Sequence, residues 1–272
     1  MNQVQSTPDV NSALQQTVVI IPARNEGQSI GLVLKELPEV AAVIVVNNGS
    51  TDETAEVAEQ FGCVVVDEPI PGYGRACLTG MSMLQSMVAN GLVDASYVGF
   101  IDADYSDHPQ ELVGMMETMC DQTTEAGRVD FVLGSRMIGK REQGAMPPQA
   151  MFGNWLACNL MRLIWRTKYT DLGPFRVIRY DKLMALGMQD LNFGWTIEMQ
   201  IKATLAGLVI KEVPAQYRRR IGVSKISGTV TGTFKAGYKI LYTIAKFAVK
   251  TKRPKQVPMC CTLTRTSARK VA

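Results

Sequence analysis

The chain has 272 residues, 46% hydrophobic and 20% charged, which describes a folded protein with an ample core and excludes a disordered chain. Its six cysteines form no CxxC pair and its only histidine is His108, which argues against a zinc site, a disulfide framework or Ser-His or Cys-His nucleophilic chemistry and points to a reducing cytoplasm. The net charge of +4 hides an asymmetry: residues 1–212 hold 15 Lys and Arg against 25 Asp and Glu, whereas residues 213–272 hold 14 Lys and Arg and no acid, so the last sixty residues suit an anionic partner.

The first sixteen residues are polar and lack a basic start followed by an apolar core, so no secretory signal is expected and 1–16 reads as a flexible N-terminus. No stretch reaches about 18 consecutive apolar residues, which argues against a membrane-spanning helix. Thr17 to Pro22 is a β-branched run that predicts a strand, followed by a loop and a helix through Leu37. Ala42 to Val46 predicts a second strand. Ser50, Thr51 and Asp52 then offer N-cap oxygens to a helix that starts near Glu53. Cys63 to Val66 reads as a third strand and Leu78 to Ala89 as a helix. Between them, residues 71–81 carry an incomplete GxGxxG that does not run straight from a strand, so Gly72 and Gly74 are expected in a tight loop and dinucleotide binding is disfavoured.

Tyr97 to Ile101 predicts the fourth strand, and Asp102 and Asp104 follow it. In extended chain, residues two apart point the same way, so both carboxylates can face one crevice at a strand end. Oxygen ligands there suit Mg²⁺ or Mn²⁺. The spacing alone also fits Asp102 as a helix cap and Asp104 in a solvated turn. Further on, Phe131 to Gly134 predicts a strand that ends in Ser135 and Arg136, residues 137–151 a mobile loop, Phe152 to Arg166 an apolar helix, residues 194–208 a helix, and Val209 to Val213 a last strand. Strands alternating with helices in this rhythm predict an α/β fold, a mostly parallel, Rossmann-like sheet flanked by helices.

With IIPARNE, VNNGSTDET, FIDADYSDHP, GSR, TDLGPFR, GWTIEMQIKA and VPAQYRRRIGVSKISGTV in this order, the chain resembles family 2 glycosyltransferases of the GT-A fold, and within them the polyprenyl-phosphate (dolichyl-phosphate) mannose and glucose synthase branch. The resemblance implies a catalytic domain over 17–232. Pro22, Asn25, Glu26, Asp52, Asp102 and Arg136 would bind the nucleotide-diphospho-sugar, with Asp102 and Asp104 as the DxD pair holding the divalent cation. Ser106 falls where some relatives place a Gln metal ligand. Asp104, Asp171 and Arg176 would act at the transfer, and Arg219, Ser224 and Lys225 would grip acceptor or donor phosphate. Taken one by one, Glu26 equally suits a helix first turn, Asp52 an N-cap, Asp171 an Asx-turn and the arginine run a solvated edge.

The resemblance thus implies inverting transfer of a hexose, of the GDP-mannose or UDP-glucose type, to a polyprenyl phosphate, or alternatively to a sugar hydroxyl or small soluble acceptor. A phosphate acceptor is ionised near pH 7 and needs no base, whereas a hydroxyl would need one, for which Asp171 and Glu198 are candidates. On a helix over 233–250, Lys235, Lys239, Lys246 and Lys250 share one narrow face and Phe234, Ile240, Leu241, Ile244 and Phe247 occupy the remainder. That pattern fits either a helix lying on an anionic membrane surface at its cytoplasmic face or one packed on the catalytic domain with its lysines in water. Residues 251–272 read as a basic, disordered tail. Nucleic acid is not expected as a partner, because the first 212 residues are acidic and no recognised binding motif is present.

Overall fold

The computed structural model describes residues 9–121, 128–222 and 230–251, with side chains of the last helix from residue 237 onward. Seven strands form one sheet: β1 (Thr17–Ala23), β2 (Ala42–Asn47), β3 (Val64–Asp67), β4 (Tyr97–Phe100), β5 (Phe131–Ser135), β6 (Arg176–Arg179) and β7 (Ile210–Pro214). Their spatial order is β3-β2-β1-β4-β6-β5-β7. β6 runs antiparallel to both β4 and β5, and every other pairing is parallel. The mostly parallel sheet expected from the alternating pattern is therefore present, with β6 its one reversed strand.

The helices are α1 (Val10–Leu14), α2 (Ile30–Glu36), α3 (Thr54–Gln60), α4 (Tyr73–Ala89), α5 (Leu112–Cys120, entered through a 3₁₀ turn at Pro109–Glu111), α6 (Pro148–Trp165), α7 (Tyr180–Leu186), α8 (Trp195–Leu205) and α9 (Val230–Lys250). Alternate residues of each central strand serve opposite faces, as the period of two requires. Val18, Ile20 and Phe100 join Leu84 and Trp195 in one core, while Val19, Ile21 and Ile101 join Ile30, Val33 and Met115 in the other. Strands buried on both faces explain why β1 and β2 read as unbroken apolar runs.

Three expectations change. The N-terminus is not flexible throughout 1–16: α1 buries Ala13 and Leu14, and the Thr17 hydroxyl donates to the Ala13 carbonyl. Residues 1–8 lie outside the described residues. The glycine-rich stretch is not a loop, since α4 starts at Tyr73. Gly74 sits in its first turn because a Cβ there would lie 1.9 Å from the Asp190 carbonyl oxygen, and Gly80 lets the helix lie on the sheet, where a Cβ would lie 2.5 Å from Ile20. The segment after Arg136 is held rather than free: Glu142 N donates to Tyr217 O and Tyr217 N to Lys140 O, and α6 begins at Pro148, four residues before the expected start.

One face of α9 packs on the domain. The helix lies against α6 and α8, burying Ile244 and Thr243. Lys239 pairs with Asp190 at 2.9 Å. Its outward face is nevertheless apolar, with Tyr238 at 72% and Val249 at 89% exposure.

Candidate active site

β1 and β4 are neighbours, yet the chain leaves β1 towards β2 on one side and β4 towards β6 on the other. This reversal opens a crevice at the carboxyl ends of the strands, where an open α/β sheet keeps its ligand. The crevice holds Pro22 and Ala23 from the end of β1, Asn48 after β2, and Asp102 to Asp104 after β4. Arg24, Glu26, Tyr73, Phe193 and Arg220 complete its polar and aromatic wall.

The turn after β4 is built around Asp104. Ser106 donates both its backbone N–H, at 2.9 Å, and its hydroxyl, at 2.5 Å, to Asp104 Oδ1. Ser106 therefore fixes Asp104. Asp104 Oδ2 pairs with the Arg220 guanidinium at 3.1 Å. Asp102 lies close to Tyr73, which lines the same crevice, and its Oδ1 is buried with no hydrogen-bond partner. Burial first, and the neighbouring Asp104 second, push the Asp102 carboxyl up to about 7. Between these residues the chain is strained: Tyr105 takes φ 63, a left-handed conformation uncommon for an aromatic residue. Arg218 stacks on its ring at 3.2 Å and its hydroxyl donates to Glu36, so the turn is clamped from outside.

An orphaned buried oxygen on Asp102 beside the outer oxygen of Asp104 is a donor set that fits a hard divalent cation. Among the described residues no group of three or more His, Cys, Asp and Glu could hold a metal. Two carboxylates are what Mg²⁺-type sites commonly take from protein, the remaining positions falling to ligand oxygens and water.

Pro22, Glu26, Asp102 and Asp104 thus come together in the crevice as expected. Among the described residues, the other expected site residues are not in its wall. Asp52 accepts from Gly27 N at 3.0 Å and from Thr54, tying the loop after β1 to the start of α3, whose N-cap position is held by Glu53 and not by Asp52. Asn25, at φ 51, accepts from Thr51 N and donates its own N–H to the Ser50 hydroxyl in the same junction. Asp171 is 1% exposed and takes a two-pronged grip from Arg136, Nε and Nη2 each donating at 2.8 Å, with the Arg136 N–H as a third donor. Burial opposes the charge on Asp171, but the Arg136 guanidinium wins and holds the carboxyl below its ordinary range.

Arg176 is equally buried and donates to the carbonyls of Pro174, Thr196 and Gly173. Glu198 accepts from the backbone of Gln189 and Asp190 and pairs with Lys202, which makes it a clamp on the turn before α8. Arg219 turns away to Glu142 and Gln143, and it is Arg220 that enters the crevice. Ser224 and Lys225 lie outside the described residues.

Two groups had no signal in the sequence. Asp107 is 1% exposed, with both carboxylate oxygens unpartnered, and burial pushes its carboxyl well above the usual range. Glu212, on β7, accepts from the backbone N–H groups of Thr170 and Asp171 and so sets the segment that carries Asp171; burial raises it to about 7.

Residues 18–187 match the family model described as "Glycosyl transferase family 2". An uncharacterized glycosyltransferase of Mycobacterium bovis is 33% identical over 216 residues, covering 79% of this chain and 91% of that one. The low-salt glycan biosynthesis hexosyltransferase Agl6 of Haloferax volcanii is 25% identical over 79% of this chain and 50% of that protein. Among solved structures, glucosyl-3-phosphoglycerate synthase from Mycobacterium tuberculosis in complex with Mn²⁺, UDP and glucosyl-3-phosphoglycerate aligns with a TM-score of 0.64 at 18% identity, covering 90% of this chain and 86% of that one. That likeness concerns the fold, and it is the GT-A fold. The family match runs from β1 through α7, across each strand that lines the crevice, and the chain belongs to glycosyl transferase family 2.

Proposed function

We propose that the chain transfers a hexose, with inversion, from a nucleotide-diphospho-sugar of the GDP-mannose or UDP-glucose type to a phosphate acceptor carried on a polyprenyl lipid. The observation that carries the donor half is the unpartnered Asp102 Oδ1 beside Asp104 in a crevice whose wall also holds Arg24 and Arg220. Asp102 and Asp104 would hold Mg²⁺ or Mn²⁺, which when bound neutralises charge on the departing diphosphate. The solved relative in complex with Mn²⁺ and UDP supports this reading. Pro22 and Tyr73 present apolar wall to the nucleoside side, and the two arginines face the phosphates.

The acceptor half follows from the carboxylates. Asp171 and Glu198, the candidate bases for a hydroxyl acceptor, are both committed to strong donors. A phosphate acceptor, with its second pKa near 6, is already ionised at neutral pH. Its oxygen attacks the anomeric carbon, the bond from that carbon to the diphosphate oxygen breaks, and the nucleoside diphosphate departs with the electron pair. No proton need pass to the protein. The basic last sixty residues favour an anionic acceptor.

A lipid acceptor puts the protein on the cytoplasmic face of a membrane, without a spanning segment of its own among the described helices. The outward residues of α9 (Tyr238, Leu241, Tyr242, Val249) and of its neighbour α6 (Phe152, Trp155, Leu163) support that position, because large side chains, four of them aromatic, stay exposed after both helices have docked. A second reading, transfer to a small phosphorylated acceptor in water, is favoured by the acceptor-derived part of the complex named above, glucosyl-3-phosphoglycerate. The two separate in one assay: intact protein, radiolabelled GDP-mannose or UDP-glucose, Mn²⁺, and either polyprenyl phosphate or 3-phosphoglycerate, followed by extraction into organic solvent. Label entering the organic phase only with polyprenyl phosphate is expected; label confined to the aqueous product sinks the lipid acceptor.

A further inference from the structure

Three consecutive arginines leave one extended segment for three destinations. The backbone of 217–221 runs beside the turn after β4, with Arg218 N donating to Ser106 O at 2.9 Å and Ile221 N to Asp104 O at 3.0 Å. Asp107 and Tyr217 form an antiparallel bridge in the same pairing. In extended chain Arg218 and Arg220 share a side and Arg219 takes the other. Arg218 accordingly clamps the turn from outside, through Tyr105 O, Asp107 O and Glu36. Arg219 goes to the connection after β5. Arg220 reaches across the crevice, with Nη1 on Asp104 Oδ2 at 3.1 Å and Nη2 on Glu26 Oε1 at 3.0 Å.

Asp104 Oδ1 is already taken by both donors of Ser106. Oδ2 is the oxygen left for an ion, and Arg220 sits on it. We propose that Arg220 is the resident counter-ion of the cation site, competing directly with the divalent cation for Asp104 and passing to the donor diphosphate when the two arrive together. The proposal rests on the assignment of Asp102 and Asp104 as the cation's carboxylates. A metal ion bonds carboxylate oxygen at about 2.0–2.2 Å. A guanidinium and a dication in contact with one oxygen would also repel each other, so one leaves as the other binds.

This competition makes metal and donor binding cooperative. Metal alone must displace Arg220 from Asp104 and leave it with half of its pairing, on Glu26. Metal arriving with a diphosphate gives the displaced guanidinium a second anion, in the forked geometry that arginine and phosphate share. The exchange also links the cation site to the segment preceding the expected acceptor residues, because Arg220 is fixed to that segment's backbone. The coupling is reciprocal, so the nucleotide should tighten the metal as much as the metal tightens the nucleotide.

The test is Mn²⁺ titration of the intact chain followed by electron paramagnetic resonance of free Mn²⁺, without nucleotide and with UDP or GDP, for the unaltered protein, Arg220→Met and Asp104→Asn. Circular dichroism on each variant checks folding, and Arg220→Lys supplies a second variant that keeps the charge. The expected result is Mn²⁺ alone bound about fivefold or more tightly by Arg220→Met, with a correspondingly smaller gain on adding nucleotide and Arg220→Lys in between. Asp104→Asn should lose the site. Unchanged or weaker Mn²⁺ binding by folded Arg220→Met, with the site still lost in Asp104→Asn, would overturn the counter-ion role and leave the cation site standing. Mn²⁺ binding that survives Asp104→Asn would instead overturn the cation site on which the proposal rests.

Discussion

The Asp171–Arg136 pair shows how far a residue's type can mislead about its task. A carboxylate beside a Gly-Pro turn reads as a base or an Asx-turn, but here it accepts three donors from one arginine and sits almost fully enclosed. Removing one member of such a pair leaves the other charge buried alone, so Asp171→Ala should cost about 3–5 kcal/mol of stability, read from urea unfolding. A loss below about 1 kcal/mol would mean that Arg136 finds solvent and that the pair is not structural. At this scale the sequence located the carboxylates of the crevice but not which arginine meets them. Arg219 and Arg220 are indistinguishable by type and spacing. Their destinations follow from a register against residues 104–107 that lie more than a hundred positions away, and no local pattern carries that information. The roles of Arg176 and Glu198 were hidden for the same reason, since both are decided by backbone carbonyls and N–H groups brought in by distant turns.

Elements were more legible, because strands buried on both faces write themselves as apolar runs and each of the five strands read in β1 to β5 falls within a residue or two of its expected bounds. The start of α4 was not legible. Two glycines in four residues suggest a loop, whereas Gly74 is needed for the approach of the Asp190 backbone, a contact made across the fold. The last helix carries the sharper lesson. Its lysine stripe suggested one wet face and one apolar face, but the structure buries one apolar face against α6 and α8 and leaves another outside. A helix apolar on both sides has a further surface to cover. If an anionic bilayer covers it, the intact chain should float with phosphatidylglycerol vesicles and not with phosphatidylcholine alone, and Trp155→Glu with Val249→Glu should reduce the bound fraction several-fold, each apolar side chain contributing about 1.5–3 kcal/mol when buried. Equal recovery of the double variant, or a concentration-dependent dimer that it dissolves, would assign the surface to something other than lipid.

For the whole molecule, charge and topology point to the same end. The acidic body meets the start of the basic last sixty residues at the crevice, where segment 217–221 is paired to the turn that carries Asp102 and Asp104. The sheet reverses direction beside them, so the fold delivers carboxylates, arginines and an aromatic wall to one place from five separated stretches of chain. The family was readable from seven short motifs in order; of the residues that the resemblance implies for the acceptor, Arg219 turns to the connection after β5, and Ser224 and Lys225 are outside the described residues. All of this depends on donor binding through Asp102 and Asp104. Isothermal titration of the intact chain with UDP-glucose and GDP-mannose, each in Mn²⁺ and then in chelator, tests it for the unaltered protein and for Asp104→Asn. One of the donors should bind with Mn²⁺ and weaken at least tenfold both in chelator and in folded Asp104→Asn; a donor that binds equally well in all three conditions would contradict the assigned site.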